Sequence, residues 1–294
     1  VFLACIALPA PALAQVPSLD GHRFVPSSLV TWSFVDTQVS STSECGSTDL
    51  VIEPVHPQVP QLSVLDTLDA HFIEVNQSLA GSLALSDNFA LSAQLSAGGI
   101  VPRDTASSLF IGGHGVTGET VGAALRLVRS DAFQLTLRAN LNALEVESIV
   151  PALLPSSPRV TGDVLGFEPA LAAALALSPR IGFQGSVAAN FQRFEVGPED
   201  DVVTPVGALA ATVSLDPVPL SVLVGASVLR TYERDVFTPT ADAVFGPDRT
   251  HWNLEAGLYC TSRRELDLGL LFRTELAGDH DNQLHGWFRL GYYF

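Results

Sequence analysis

The side chains best placed to act on a solute are a few charges set among apolar neighbours at a spacing of two. Arg126 and Arg138 lie in one part of the chain and Glu255, Asp267 and Glu275 in another, with Arg273 and Arg289 interrupting the acidic group. In an extended chain this spacing sends each charge to the face opposite its apolar neighbours. Leu266, Leu268, Leu270, Phe272 and Leu276 thus oppose Glu265, Asp267, Gly269, Arg273 and Glu275, and Phe133, Leu135, Leu137 and Leu141 oppose Gln134, Thr136, Arg138, Asn140 and Asn142. Facing groups of opposite charge can orient a passing polar solute, or they can pair and fill a narrow space; both readings stay open. Catalysis has little support. The seven His are scattered, and there is no HExxH, no GxSxG and no close set of Ser, His and acid. The nearest approach, His71 with Asn76 and Ser78, reads as an interfacial residue near a strand end. No catalytic residue, metal ligand or cofactor is expected.

Strands must carry these charges. The 294 residues are 47% hydrophobic and 16% charged, yet the apolar residues are dispersed, with no run near the 18 needed for a spanning helix. Twenty-three Gly and nineteen Pro punctuate short alternating segments, which predicts an all-β chain. A unit of strand, tight turn, strand and longer loop recurs five times. The tight turns are Ser86-Asp87-Asn88, Arg129-Ser130-Asp131, Ser178-Pro179, Asp216-Pro217-Val218-Pro219 and Ser262-Arg263-Arg264. With a first strand over Leu29 to Val39 and a last over Gln283 to Phe294, the count is about twelve. The Ala-rich Pro169 to Leu177 has helical propensity, but an even strand count requires it to be a strand. Formal net charge is −16 and all fifteen basic residues are Arg, which excludes nucleic acid as a partner, since phosphate binding needs a basic patch.

Residues 1–14 read as a cleaved export signal, an apolar stretch ending in Ala12-Leu13-Ala14, without its basic n-region. Residues 15–28 are aperiodic, a periplasmic lead-in or a short segment tucked into a lumen, and residues 29–294 form the single folded domain. Beyond Cys5 in the signal, Cys45 falls in the first long loop and Cys260 beside a tight turn at the opposite end, so no disulfide is expected between them.

The last residues, QLHGWFRLGYYF, place Phe288, Leu290, Tyr292 and Phe294 on one apolar face and end on an aromatic. This resembles the C-terminal strand of bacterial outer-membrane β-barrels, whose assembly machinery recognises such a strand. The resemblance implies a transmembrane antiparallel up-and-down β-barrel of about twelve strands with tight periplasmic turns and longer outer loops. Outward aromatics would form two girdles, Trp32, Phe89, Phe133, Phe183 and Tyr292 low, and Phe167, Phe191, Tyr232 and Trp252 high. Arg193 and Arg230, outward near the outer interface, suit lipopolysaccharide phosphates. The opposed inward charges resemble the eyelet of general porins, so Arg126, Arg138, Glu255, Asp267, Arg273, Glu275 and Arg289 would line a pore for small polar solutes. Acidic loops, with Asp36, Glu44, Asp49, Glu199, Asp200, Asp201, Asp279 and Asp281, imply a modest preference for cations. A closed structural or adhesive barrel acting through its surface loops is the main alternative. A barrel lipid hydrolase is less expected because its catalytic signature is absent, and an autotransporter because it carries a passenger domain upstream.

Overall fold

The computed structural model describes residues 17–52, 68–103, 113–149, 159–194, 201–230, 250–276 and 282–294. Its first elements are a two-stranded hairpin, β1 (Ser18–Leu19) and β2 (His22–Arg23). Asp20 and Gly21 form its turn with φ of 45° and 77°. Such a two-residue turn needs φ > 0 at both positions, which Asp tolerates and Gly adopts freely.

Twelve longer strands follow: β3 (Gln38–Ile52), β4 (Leu68–Ser86), β5 (Phe89–Pro102), β6 (Gly113–Arg129), β7 (Phe133–Ile149), β8 (Arg159–Ser178), β9 (Ile181–Phe194), β10 (Asp201–Ser214), β11 (Leu220–Arg230), β12 (Thr250–Arg263), β13 (Leu266–Leu276) and β14 (Asn282–Tyr293). Each pairs antiparallel with its neighbours in the chain, and β14 pairs with β3, closing the sheet into a barrel with no free edge. The Phe294 amide donates to the Thr37 carbonyl, so the last residue sits at the entry to the first barrel strand.

Alternation fixes the two faces. Leu79, Leu91, Leu137, Leu171, Val187, Leu209, Val224, Leu258, Leu270 and Phe288 point outward and are exposed, the reverse of a soluble core and the arrangement of a barrel facing lipid. Phe89, Phe133, Phe183, Tyr292 and Phe294 lie outward toward the tight turns, and Phe167, Phe191 and Trp252 outward toward the other end. The two predicted girdles are thus present, except that Tyr232 lies outside the described residues and Trp32 points into the lumen, where it packs on Phe34 at 5.1 Å.

Two further expectations change, and the strand expected over Pro169 to Leu177 is found. The first barrel strand is Gln38–Ile52 and not Leu29 to Val39. Its serines and threonines occupy both faces, so no apolar alternation marks it. Outward Ser41 and Ser43 instead hydrogen-bond Gln77 of β4. The same shift moves Cys45 from a loop onto the outward face of β3, where it is exposed and unbridged, and Cys260 faces outward on β12, half-buried and likewise unbridged. Residues Pro169 to Leu177 are strand, with Leu171, Leu175 and Leu177 outward and Ala170, Ala172, Ala174 and Ala176 buried inside.

Candidate functional site

The lumen is occupied at its tight-turn end by the chain's own residues 17–37. An irregular segment buried away from water must have its backbone polar groups satisfied, and here the barrel wall supplies the partners. The Asp20 amide donates to the Asp131 carbonyl. Gln184 Nε2 donates to the Val25 carbonyl at 2.8 Å, and the Tyr259 hydroxyl to that of Pro26. Gln134 and Thr136 both donate to the Ser33 carbonyl, and the Ser82 hydroxyl to that of Asp36. The apolar plug side chains find small partners. Leu19, Phe24 and Phe34 pack on Ala174 and Ala176, Val25 and Val30 cluster with Ala208, Ala210, Leu223, Leu271 and Trp287, and Val35 meets Ala90 and Ala124. Gly182 makes room for the hairpin, since a Cβ there would stand 2.4 Å from the His22 ring and 2.7 Å from that of Phe24.

The charges singled out in the sequence all face this lumen, and the structure shows what most of them hold. Arg138 Nη2 donates to the Phe34 carbonyl at 2.7 Å and Arg126 Nη2 to that of Val35 at 3.4 Å. Across the barrel, Glu255 receives the Ser27 hydroxyl and, at 2.8 Å, the Ser28 amide. Asp267, fully buried, pairs with Arg23, whose guanidinium also donates to the carbonyls of Thr261, Arg263 and Leu266. The two opposed groups therefore grip the plug from opposite sides. The other three lie elsewhere on the wall. Arg273 stacks over Trp287 at 4.6 Å, Glu275 pairs with His251 at 2.6 Å, and Arg289 lines a cavity described below.

Four acids read as loop residues also move, with Asp49 on β3 and Asp201 opening β10. Asp36 belongs to the plug, buried and bonded to Trp32 Nε1 at 2.9 Å. Glu44 faces inward on β3, 3.0 Å from His285. Glu199, Asp200, Asp279 and Asp281 lie outside the described residues, as do 1–16. Arg193 and Arg230 are outward and exposed at the ends of their strands away from the tight turns. Among the described residues no cluster of His, Cys, Asp or Glu is placed to hold a metal ion. In the hairpin, burial pushes the His22 imidazole below the usual histidine range, partly offset by its bond to the Pro179 carbonyl and the charge of Asp216.

The plug does not fill the lumen evenly. The inner wall from β8 to β10 is alanine-rich and packs against it, whereas β3 to β7 present Gln38, Ser40, Ser82, Ser92, Gln94, Thr120 and Asn140 around a cavity of about 190 Å³. Beyond this cavity the same wall continues with Thr42, Ser78 and Ser96, aligned in register.

No protein-family model matches the sequence, and no curated protein matches it. Solved structures do share the fold. An outer-membrane channel from Pseudomonas putida F1 aligns over 92% of this chain and 100% of its own with a TM-score of 0.60 and 12% identity. The β domain of the Bordetella autotransporter BrkA aligns over 88% and 100%, with a TM-score of 0.57 and 10% identity. The translocator domain of the autotransporter NalP from Neisseria meningitidis aligns over 89% and 90%, with a TM-score of 0.55 and 11% identity. The chain thus resembles bacterial outer-membrane β-barrels, at an identity that speaks for the fold alone.

Proposed function

We propose that this chain is a channel of the bacterial outer membrane through which small polar solutes pass beside a lumenal plug. The observation that carries the reading is the unequal lumen. Alanines seat the plug on one wall, while hydroxyl and amide side chains bound an unfilled cavity on the other. A barrel built only to be closed has no need of a polar cavity left open beside its plug. The apolar exterior and its two aromatic girdles fit a bilayer. In this reading Arg193 and Arg230 contact lipopolysaccharide phosphates, and Phe288, Leu290, Tyr292 and Phe294 signal to the barrel assembly machinery; their outward positions support it.

The formal charge of −16 makes a modest cation preference the expectation at the outer mouth. Such a field acts within a Debye length, about 8 Å at physiological salt, and fades as salt rises. The second reading is a closed barrel acting through its surface loops, which the grip of Arg126, Arg138, Glu255 and Asp267 on the plug favours. Vesicle swelling separates the two. Proteoliposomes placed in isotonic glycerol, glucose or a disaccharide should swell at rates that fall steeply with solute size. Swelling no faster than protein-free vesicles for all three would leave the closed barrel.

A further inference from the structure

The cavity beside the plug is more specific than a passage for water needs. Its walls bring together the guanidinium groups of Arg138 and Arg289, the amides of Gln94 and Asn140, the Ser92 hydroxyl and the indole of Trp32. At about 190 Å³ it has room for roughly six waters at ~30 Å³ each, the size of one small organic solute. The plug carboxylate of Asp36 is held by Trp32, Ser82 and Gln38 and lies within electrostatic reach of both Arg138 and Arg289. Arg126 adds to the same positive side. The other acid near Arg289, Asp267, is already paired with Arg23. Asp36 is the carboxylate that Arg138 and Arg289 share, and Glu168, outside the lining, meets the cavity wall through Asn140 Nδ2 at 3.4 Å, so the Arg138 and Arg289 side of the cavity keeps positive charge for a solute to balance. The Nε–H of Arg138 and that of Arg289 have no protein partner among the described residues.

The remaining groups specify more than an ion. Gln94, Asn140, Ser92 and Thr120 can each donate and accept hydrogen bonds, as the hydroxyls of a polyol require, and an indole offers an apolar ring face. The wall is relieved for them as well. A Cβ at Gly122 would stand 2.2 Å from Asn140 Oδ1 and 2.8 Å from Ser92 Oγ. We propose that this cavity is a binding site for a small hydroxylated carboxylate, of the hydroxy-acid or sugar-acid class, on its way past the plug. The site rests on the channel reading and gives that channel a solute class. It is compatible with a cation-preferring mouth, because salt ions respond to the mouth's net field whereas this solute is held by direct charge-assisted hydrogen bonds.

The test is calorimetric titration of the detergent-solubilised full chain with sodium glucuronate and with glucose, in parallel with conductance in potassium chloride. Glucuronate should bind saturably and at least ~10-fold more tightly than glucose. Arg289→Gln should weaken glucuronate by ~10-fold or more, as expected for losing a hydrogen bond to a charged group, and leave glucose unchanged. Trp32 fluorescence in a Trp252→Phe, Trp287→Phe background reports occupancy independently and should respond to glucuronate over the same concentration range. A conducting protein that binds no glucuronate, or binds it no better than glucose, overturns the site and leaves the channel. Saturable glucuronate binding without conductance removes the channel and keeps the site. Unchanged glucuronate affinity in Arg289→Gln overturns the assignment.

Discussion

Asp267→Asn tests whether the lumenal charges serve the plug. The Asp267 side chain is fully buried and its carboxylate pairs with Arg23, the last residue of the hairpin that starts the plug. The substitution keeps the shape and removes the charge. Breaking a buried pair outright costs about 3–5 kcal/mol, but Arg23 retains its bonds to the carbonyls of Thr261, Arg263 and Leu266. The loss therefore lies nearer that of one hydrogen bond to a charged group, about 1.5–3 kcal/mol. At 1.4 kcal/mol per decade the detached plug should become roughly 10- to 100-fold more populated. The assay is maleimide labelling of Ser33→Cys, a fully buried plug position, in a Cys45→Ser, Cys260→Ser background. When reclosing outpaces labelling, the rate follows the detached fraction. Labelling should quicken at least tenfold while the unheated protein keeps its folded gel mobility. An unchanged rate would show that Asp267 does not hold the plug, and the account of the opposed charges would fail with it.

Other consequences follow from the same packing. A Cβ on Gly269 would stand 2.3 Å from the Tyr259 ring, whose hydroxyl holds Pro26, so Gly269→Ala should cost about 1–3 kcal/mol by overpacking, seen as a lower denaturant midpoint; an unshifted midpoint would refute it. His22 is held below its usual range by burial, so its contribution is complete above about pH 6.5, the ordinary value, and is lost as pH falls through the depressed one. Plug labelling should therefore accelerate with acidification, less so in His22→Asn, and a pH-independent rate would contradict this. Cys45 and Cys260 sit on outward faces three strands apart, roughly 14 Å at ~4.8 Å per strand against the ~7 Å a disulfide allows. Both should react as unbridged thiols in the detergent-solubilised protein, with Cys45 shielded by the bilayer from an impermeant maleimide on whole cells; a mapped bridge would overturn the register.

What was legible in the sequence was whatever alternation could mark. Leu266 to Phe272 and Phe133 to Leu141 carry apolar residues at every second position, and short turns bound them, so strand count and facing follow directly. β3 escaped because Ser40, Ser41, Thr42 and Ser43 put hydroxyls on both faces, leaving no period to see. Trp32 and Phe34 supplied a false period, an extended run whose apolar partners are the alanines of β8 and not lipid. Two signals of the plug were nevertheless present. Asp20-Gly21 is a hairpin dipeptide in a stretch otherwise read as aperiodic. Ala170, Ala172, Ala174 and Ala176 form an inner face too small and too apolar for an aqueous lumen, explicable only if something covers it. The candidate charges were found from their spacing, but whether they met solute or chain depended on that unseen cover.

Single-channel recording of the unmodified chain in a planar bilayer tests the central claim most directly. The account predicts discrete conductance steps in potassium chloride, with a cation preference that weakens as salt is raised, while a bilayer that stays silent at every salt concentration, with folded barrel shown to be inserted, would contradict it.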